Sequence, residues 1–87
     1  MNQNRDEIIG QIKAKIVELA NQLENDARHL DNDELIPATG LIDSTALLTL
    51  MAWYEAEFEI QIRPDEITID NFGTINLMTD FVLAHRS

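Results

Sequence analysis

The chain has 87 residues, a formal net charge of −10 and no cysteine. This length allows one small domain with a single core, and the absence of cysteine excludes disulfides, a thiolate nucleophile and a thiolate metal site. No apolar stretch is long enough to cross a bilayer, and Met1–Glu7 lacks the apolar centre of a signal peptide. We therefore predict one cytoplasmic domain over residues 1–87.

The acidic excess is confined to the middle of the chain. Twelve acids and only two bases, Arg28 and Arg63, lie between Glu24 and Asp70, whereas acids and bases balance outside that span. Such a surface repels nucleic acid and anionic lipid and attracts basic proteins, so we expect neither a nucleic-acid nor a membrane partner. The same charge also serves solubility, and composition alone does not separate these two roles.

The first predicted helix covers about residues 4–24. Asn4 with Glu7 resembles a capping box. Apolar residues then recur at the spacing of one buried helical stripe: Ile8, Ile9, Ile12, Ile16, Leu19, Ala20 and Leu23.

Residues 25–43 show no sustained period and form a long first loop. Pro37 and Gly40 mark turns within it, and a helical turn is predicted near Asp33–Ile36. Because a loop of this length is unusual in a small domain, we expect it to be packed across the helices. Its predicted anchors are apolar: Leu30, Leu35, Ile36, Leu41 and Ile42.

The second predicted helix runs from Ser44 to Phe58. Ser44 is a favourable N-cap, and Asp43 adds negative charge where the helix dipole favours it. The predicted core-facing side is wide and consists of Leu47, Leu48, Leu50, Met51, Tyr54 and Phe58.

The last part of the chain predicts an extended connector and two further helices. Phe58, Ile60 and Ile62 alternate with polar residues, but no second strand is available to pair with them. Pro64 begins a short third helix that ends before Asp70, and Thr74 caps the final helix. The predicted fold is all-α, with three main helices and one short helix.

One series of residues is similar to a known pattern. It comprises Gly40, Asp43 and Ser44, then Leu48, Leu50 and Met51, then Glu55, Glu57, Phe58, Ile60 and Ile62, and finally Asp65-Glu66-Ile67 and Asn71-Phe72-Gly73-Thr74-Ile75. Over residues 5–84 this series resembles the acyl carrier protein family, especially stand-alone carriers that work with adenylating ligases. The resemblance implies a small four-helix acyl-carrier-type bundle.

The resemblance also implies a role for the residues before the second helix. Ser44 would receive 4′-phosphopantetheine from coenzyme A through a phosphopantetheinyl transferase that needs a divalent metal, and Asp43 would be recognised by that transferase. An adenylating ligase would load an acyl or aminoacyl group as a thioester, and a downstream transferase or synthase would remove it. A chain without cysteine must import its thiol. We therefore expect a non-enzymatic carrier with no catalytic residue and no metal site, and a monomer.

The chain departs from fatty-acid carriers just after this serine. In those proteins leucine usually follows the modified serine, and the exposed face of the next helix is acidic. Here Thr45 follows Ser44, and the acids of the helix return only at Glu55. Because charge complementarity governs partner choice, we expect a dedicated pathway partner. The predicted partner-binding residues, expected on the exposed side, are Thr45, Ala46, Thr49, Trp53 and Glu55.

Several alternatives remain open at this stage. Ser44 could serve only as a helix cap, and the whole domain could be an unmodified acidic helical adaptor for a basic protein. Trp53 is either a partner contact or a cover for the packed loop over Leu35 or Ile36, the second being favoured. The cargo could lie in solvent or in a cavity among Leu48, Met51, Ile67 and Phe81.

The Asp31-Asn32-Asp33 segment does not fit a calcium loop. The positions that would require a ligand and a glycine are Leu35 and Ile36. We interpret these acids as part of a solvated loop.

Overall fold

Five α-helices and one 3₁₀ helix are present in the computed structural model, which describes residues 4–85. The elements are α1 (Arg5–Gln22), α2 (Ile36–Thr39), α3 (Ser44–Phe58), the 3₁₀ helix (Pro64–Glu66), α4 (Ile69–Phe72) and α5 (Ile75–His85). Within residues 4–85 there is no strand, which confirms the all-α prediction. Residues 1–3 and 86–87 of the predicted domain lie outside the described residues.

Helix α1 forms as the sequence predicts, within two residues at its carboxyl end. The Asn4 side chain accepts a hydrogen bond from the backbone N–H of Glu7 at 2.8 Å and so caps the helix. One stripe is fully buried and packs against α5 and α3: Ile8, Ile12, Ile16, Leu19 and Ala20. Arg5 also pairs with Asp80 of α5 at the surface.

The long first loop contains α2, three residues beyond the predicted helical turn. Pro37 lies in its first turn, where proline needs no N–H partner, and Gly40 ends it in the left-handed region with a φ of 71°. Leu30, Ile36 and Ile42 are buried as predicted. Leu35 is not an anchor, because it precedes the first residue of α2 and remains 47% exposed.

Helix α3 has the predicted bounds, but its buried face differs in two residues. The core side repeats every four residues through Ala46, Leu50, Tyr54 and Phe58. Leu48, predicted in this face, is 71% exposed, whereas Ala46, predicted exposed, is buried. Successive residues turn by about 100°, so Leu48 is directed away from the centre of that repeat.

The buried Tyr54 links α3 to α5. Its hydroxyl donates a 2.6 Å hydrogen bond to the backbone oxygen of Met78. Burial raises the pKa of this phenol above its usual value, so it remains a neutral donor.

The segment between α3 and α5 is divided into two short helical pieces where the sequence predicted one. Pro64 begins only a 3₁₀ turn, and the side chain of Asn71 donates to the carbonyl of Glu66 at 2.8 Å. The second piece is α4, which packs against α5. Thr74 accepts a hydrogen bond from the N–H of Leu77 at 3.0 Å, which confirms the predicted cap of α5.

Candidate functional site at the amino end of α3

The amino end of α3 is capped by Asp43 and not by Ser44. The Asp43 carboxylate accepts a hydrogen bond from the N–H of Ala46 at 2.8 Å, and its carbonyl accepts from the N–H of Leu47 at 2.9 Å. The prediction of Ser44 as the cap is therefore wrong by one residue. Aspartate satisfies the same orphan N–H as serine and adds a charge that the helix dipole favours, so Asp43 takes the position.

Because Asp43 caps the helix, the Ser44 hydroxyl has no structural role in the described part of the chain. Ser44 is the first residue of α3 and is exposed, and within residues 4–85 its hydroxyl makes no hydrogen bond. It lies at the positive end of a 15-residue helix, where a phosphoryl group is electrostatically favoured. The Ser44 oxygen is accessible for modification.

Several hydrogen bonds hold the loop that leads into this site. The side chain of Asn25 donates to the carbonyl of Leu41 at 2.9 Å, and the Thr39 hydroxyl donates to the carbonyl of Ile36 at 2.7 Å. The N–H of Ile36 donates to the carbonyl of Gly73 at 2.8 Å. The loop is thereby attached to the end of α1 and to the junction between α4 and α5.

An apolar cavity of about 140 Å³ lies between α3 and the segment that precedes α5. Its lining is almost entirely aliphatic and aromatic: Pro37, Leu47, Leu50, Met51, Ile67, Thr68, Ile69, Phe72 and Gly73. Of the four residues named from the sequence as walls of a possible cavity, Met51 and Ile67 line it. Leu48 is exposed and Phe81 is buried against Phe72 and His85, so neither is part of its lining.

Gly73 has a steric reason to be glycine beside this cavity. A Cβ atom at this position would lie 2.5 Å from the carbonyl oxygen of Ile69, which is inside the contact distance of any real side chain. The close approach also holds the 2.8 Å hydrogen bond from the N–H of Gly73 to that oxygen. Glycine thus allows α4 to turn directly into α5.

The predicted partner-binding residues do not form one exposed face. Thr45 and Thr49 are exposed, and the Thr49 hydroxyl donates to the carbonyl of Thr45 at 3.1 Å. Ala46 is buried and cannot offer the contact predicted for it. Glu55 is half-buried, and its carboxylate accepts a hydrogen bond from the N–H of Ile62 at 3.0 Å, which orders the connector after α3.

Trp53 lies on α3 beside a surface groove that residues of α1 also line. It is half-buried, meets Phe58 edge to face at 5.7 Å, and borders a surface groove with Ala14 and Glu18. Neither Leu35 nor Ile36 lines that groove, and both roles expected of Trp53 stay predictions.

The two histidines have no connection to Ser44 in the described structure. His85 stacks on Phe81 with ring centroids 3.9 Å apart, and its Nε2 lies 3.9 Å from a carboxylate oxygen of Glu66. His29 lies exposed in the long loop. No hydrogen bond or ion pair joins either of them to Ser44 within residues 4–85, so no side chain there is placed as its base.

The described part of the chain contains no cluster of three or more potential metal ligands among its histidines and acids. Among its helices, none is both long and apolar enough to span a bilayer.

Comparisons with models of protein families, with curated proteins and with solved structures gave no match.

Proposed function

We propose that this protein is a carrier that bears 4′-phosphopantetheine on Ser44. The proposal is supported above all by the Ser44 hydroxyl, which is exposed, unbonded within residues 4–85 and located at the amino end of α3. An ordinary capping serine would hold an N–H of the helix, and Asp43 does that here. The Asp43–Ser44 pair thus divides two roles, with one residue stabilising the helix and the other available for chemistry.

The residues around Ser44 fit a covalent phosphoryl group. Ser44 and neighbouring Thr45 are both exposed, and the helix dipole favours the phosphate charge. The Ser44 oxygen would form a phosphodiester with the pantetheine half of coenzyme A while adenosine 3′,5′-bisphosphate leaves. The transferase must supply both base and metal.

The bound group would supply the thiol that this chain lacks, and an acyl or aminoacyl cargo would be held on it as a thioester. The partners of the proposed carrier are the phosphopantetheinyl transferase, an adenylating ligase and a downstream transferase or synthase. The chain itself would position the group and present it to each enzyme. The aliphatic cavity beside α3 is compatible with an apolar cargo.

A mass measurement tests the proposal. The protein is incubated with coenzyme A, Mg²⁺ and a broad-specificity phosphopantetheinyl transferase, and the intact mass is expected to rise by one phosphopantetheine. Ser44→Ala should abolish the increase, while Thr45→Ala, which removes the neighbouring hydroxyl, should retain it. An unchanged wild-type mass would contradict the carrier and favour an unmodified acidic adaptor that binds a basic protein.

A further inference from the structure

A surface groove of about 350 Å³ lies between the 3₁₀ helix, α4 and α5, and we call it the α5 groove. Its apolar lining comes from α5 alone and consists of Leu77, Phe81 and Ala84. Among residues 4–85, none from α3 and none from the loop before α3 lines this groove. The α5 groove is therefore a surface separate from the Ser44 site.

Three carboxylates border the α5 groove, one from each element around it: Glu66 of the 3₁₀ helix, Asp70 of α4 and Asp80 of α5. Glu66 accepts a hydrogen bond from the N–H of Arg63 at 3.0 Å, and Asp80 pairs with Arg5. Asp70 is exposed, and within residues 4–85 its carboxylate makes no hydrogen bond or ion pair. The groove thus places an unpaired negative charge beside apolar side chains.

This combination fits an arginine side chain better than a metal ion or an anion. The described residues contain no cluster of three or more potential metal ligands, and the carboxylates repel an anion. A guanidinium group is planar and weakly hydrated, and its five N–H donors can reach carboxylates on different sides of the groove. The aliphatic stem of arginine covers apolar surface while the charged end remains at the water-exposed edge.

His85 is the titratable base of the α5 groove. Its ring stacks on Phe81, and its Nδ1 lies 2.9 Å from the carbonyl oxygen of that residue. Because a carbonyl oxygen only accepts, the network assigns the hydrogen to Nδ1, and a proton gained by the ring goes to Nε2. Nε2 lies 3.9 Å from a carboxylate oxygen of Glu66. Protonation therefore adds a positive charge among the carboxylates of the groove.

We infer that the α5 groove binds an arginine side chain of a partner protein and that protonation of His85 weakens this binding. The guanidinium pairs with Asp70, and the stem lies on Leu77 and Ala84. A charged His85 repels the guanidinium and competes with it for the carboxylates. This inference goes beyond the proposed function, and it applies equally to a protein that is not modified at Ser44.

Among the described groups of the groove, only His85 changes its charge between about pH 5 and 8. The other charged groups around it are carboxylates and guanidinium groups, which keep their charge over this range: Glu66, Asp70, Asp80, Arg63 and Arg5. A change in arginine affinity over this range therefore reports the charge of the imidazole.

Two matched peptides test the binding site: acetyl-Leu-Arg-amide and acetyl-Leu-citrulline-amide, in which an uncharged urea group replaces the guanidinium. Each is titrated into isotopically labelled protein, and chemical shifts locate the contact. We expect the arginine peptide to shift the resonances of Leu77, Ala84 and Asp70. It should bind roughly two- to fivefold more tightly than the citrulline peptide, the factor for one exposed ion pair. Equal affinities, or shifts confined to α3, would contradict the site.

Two substitutions separate the groove from a general attraction to an acidic protein. Asp70→Asn should weaken binding of the arginine peptide roughly two- to fivefold. Glu57→Gln is the matched control, because Glu57 is also exposed and unpaired within residues 4–85 but belongs to α3. Both variants lose one negative charge, and Glu57→Gln should change the affinity by less than about 1.5-fold. Equal effects of the two substitutions would overturn the α5 groove as the site.

The pH dependence tests the role of His85. Lowering the pH from about 7.5 to about 5.5 should raise the dissociation constant of the arginine peptide roughly two- to fivefold. His85→Gln should remove this dependence, whereas His29→Gln, which replaces the other histidine of the chain, should retain it. A dependence that survives in His85→Gln, or disappears in His29→Gln, shows that His85 does not control binding. None of these outcomes affects the mass test of Ser44, so the two proposals are tested separately.

Discussion

Replacement of Asp43 should lower the stability of the fold, whereas replacement of Ser44 should abolish modification and leave stability nearly unchanged. Asp43→Ala removes the carboxylate that accepts from the N–H of Ala46 and leaves that group without its cap. Loss of an N-cap of this type costs about 1 kcal/mol, within a range of roughly 0.5–2. In a domain of this size, about 1 kcal/mol lowers the melting temperature by roughly 4–8 °C. Ser44→Ala removes an unbonded surface hydroxyl and should change the free energy of unfolding by less than about 0.5 kcal/mol.

Thermal and urea unfolding, followed by circular dichroism at the helical band, measure both effects. Asp43→Asn is the control, because its amide oxygen can still accept the hydrogen bond and only the charge–dipole term, about 0.3–1 kcal/mol, is lost. The same variants are assayed for modification. Ser44→Ala should not be modified at all. Asp43→Asn keeps the cap, so any change in its rate of modification measures recognition of the acid by the transferase. If Ser44→Ala is destabilised as much as Asp43→Ala, the division of roles at this helix end is refuted.

Two further predictions concern stability. Tyr54→Phe removes the hydroxyl that donates to the Met78 carbonyl but keeps the buried ring, so urea unfolding should show a loss of about 0.5–1.5 kcal/mol; an unchanged midpoint would contradict a stabilising hydrogen bond. Asp26 accepts three hydrogen bonds from Arg28, which hold the pKa of its carboxyl well below the usual value. Because the folded-state pKa is lowered, its contribution is present above the unfolded pKa of about 3.9 and is lost as pH falls towards the folded value. The melting-temperature difference between wild type and Asp26→Asn should therefore be constant from neutral to weakly acidic pH and shrink in strong acid; a difference that persists there would contradict this linkage.

The main helices are predictable because their signals are local. The period of α1 and the caps at Asn4 and Thr74 are visible in a few adjacent residues, and the structure bears them out. The one-residue error at α3 arises because Asp43 and Ser44 are equally good capping types. Both placements satisfy the local pattern, so neighbouring residues alone do not decide between them. In the structure Asp43 takes the cap, and the preceding Ile42 is buried.

The exposed aliphatic residues were missed for a different reason. At about 100° per residue, Leu47, Leu48, Leu50 and Met51 spread over about 160° of the helix circumference, which is wider than an apolar stripe of roughly 100°, so the outermost of them does not face the core. The repeat of Leu50, Tyr54 and Phe58 extends back to Ala46, and this signal could have identified Leu48 as the surplus residue. No comparable pattern in the sequence indicated that Ile67 and Ile69 are exposed. Both residues belong to the segment that is divided into two short helices, of which the second packs against α5.

For the proposed carrier, the cavity allows the location of an apolar cargo to be tested directly. Its volume of about 140 Å³ is comparable with that of apolar cavities of roughly 150 Å³ that stay dry and bind small hydrocarbons. Each buried methylene contributes about 0.8 kcal/mol, so a six-carbon acyl group on the modified protein should raise its stability above that of the acetyl form by about 1–3 kcal/mol if three or so methylenes enter. Thermal unfolding of the two forms measures this difference.

Methyl chemical shifts locate the cargo independently. On changing from acetyl to the six-carbon group, the resonances of Leu47, Leu50 and Met51 should move, because these residues line the cavity, while that of Leu83 should not. The thermal and chemical-shift measurements must agree, since a chain that enters the cavity both gains apolar burial and contacts these methyl groups. Equal melting temperatures with unmoved cavity methyl groups would place the cargo in solvent. The cavity would then be a packing defect beside α3, with no part in holding the cargo.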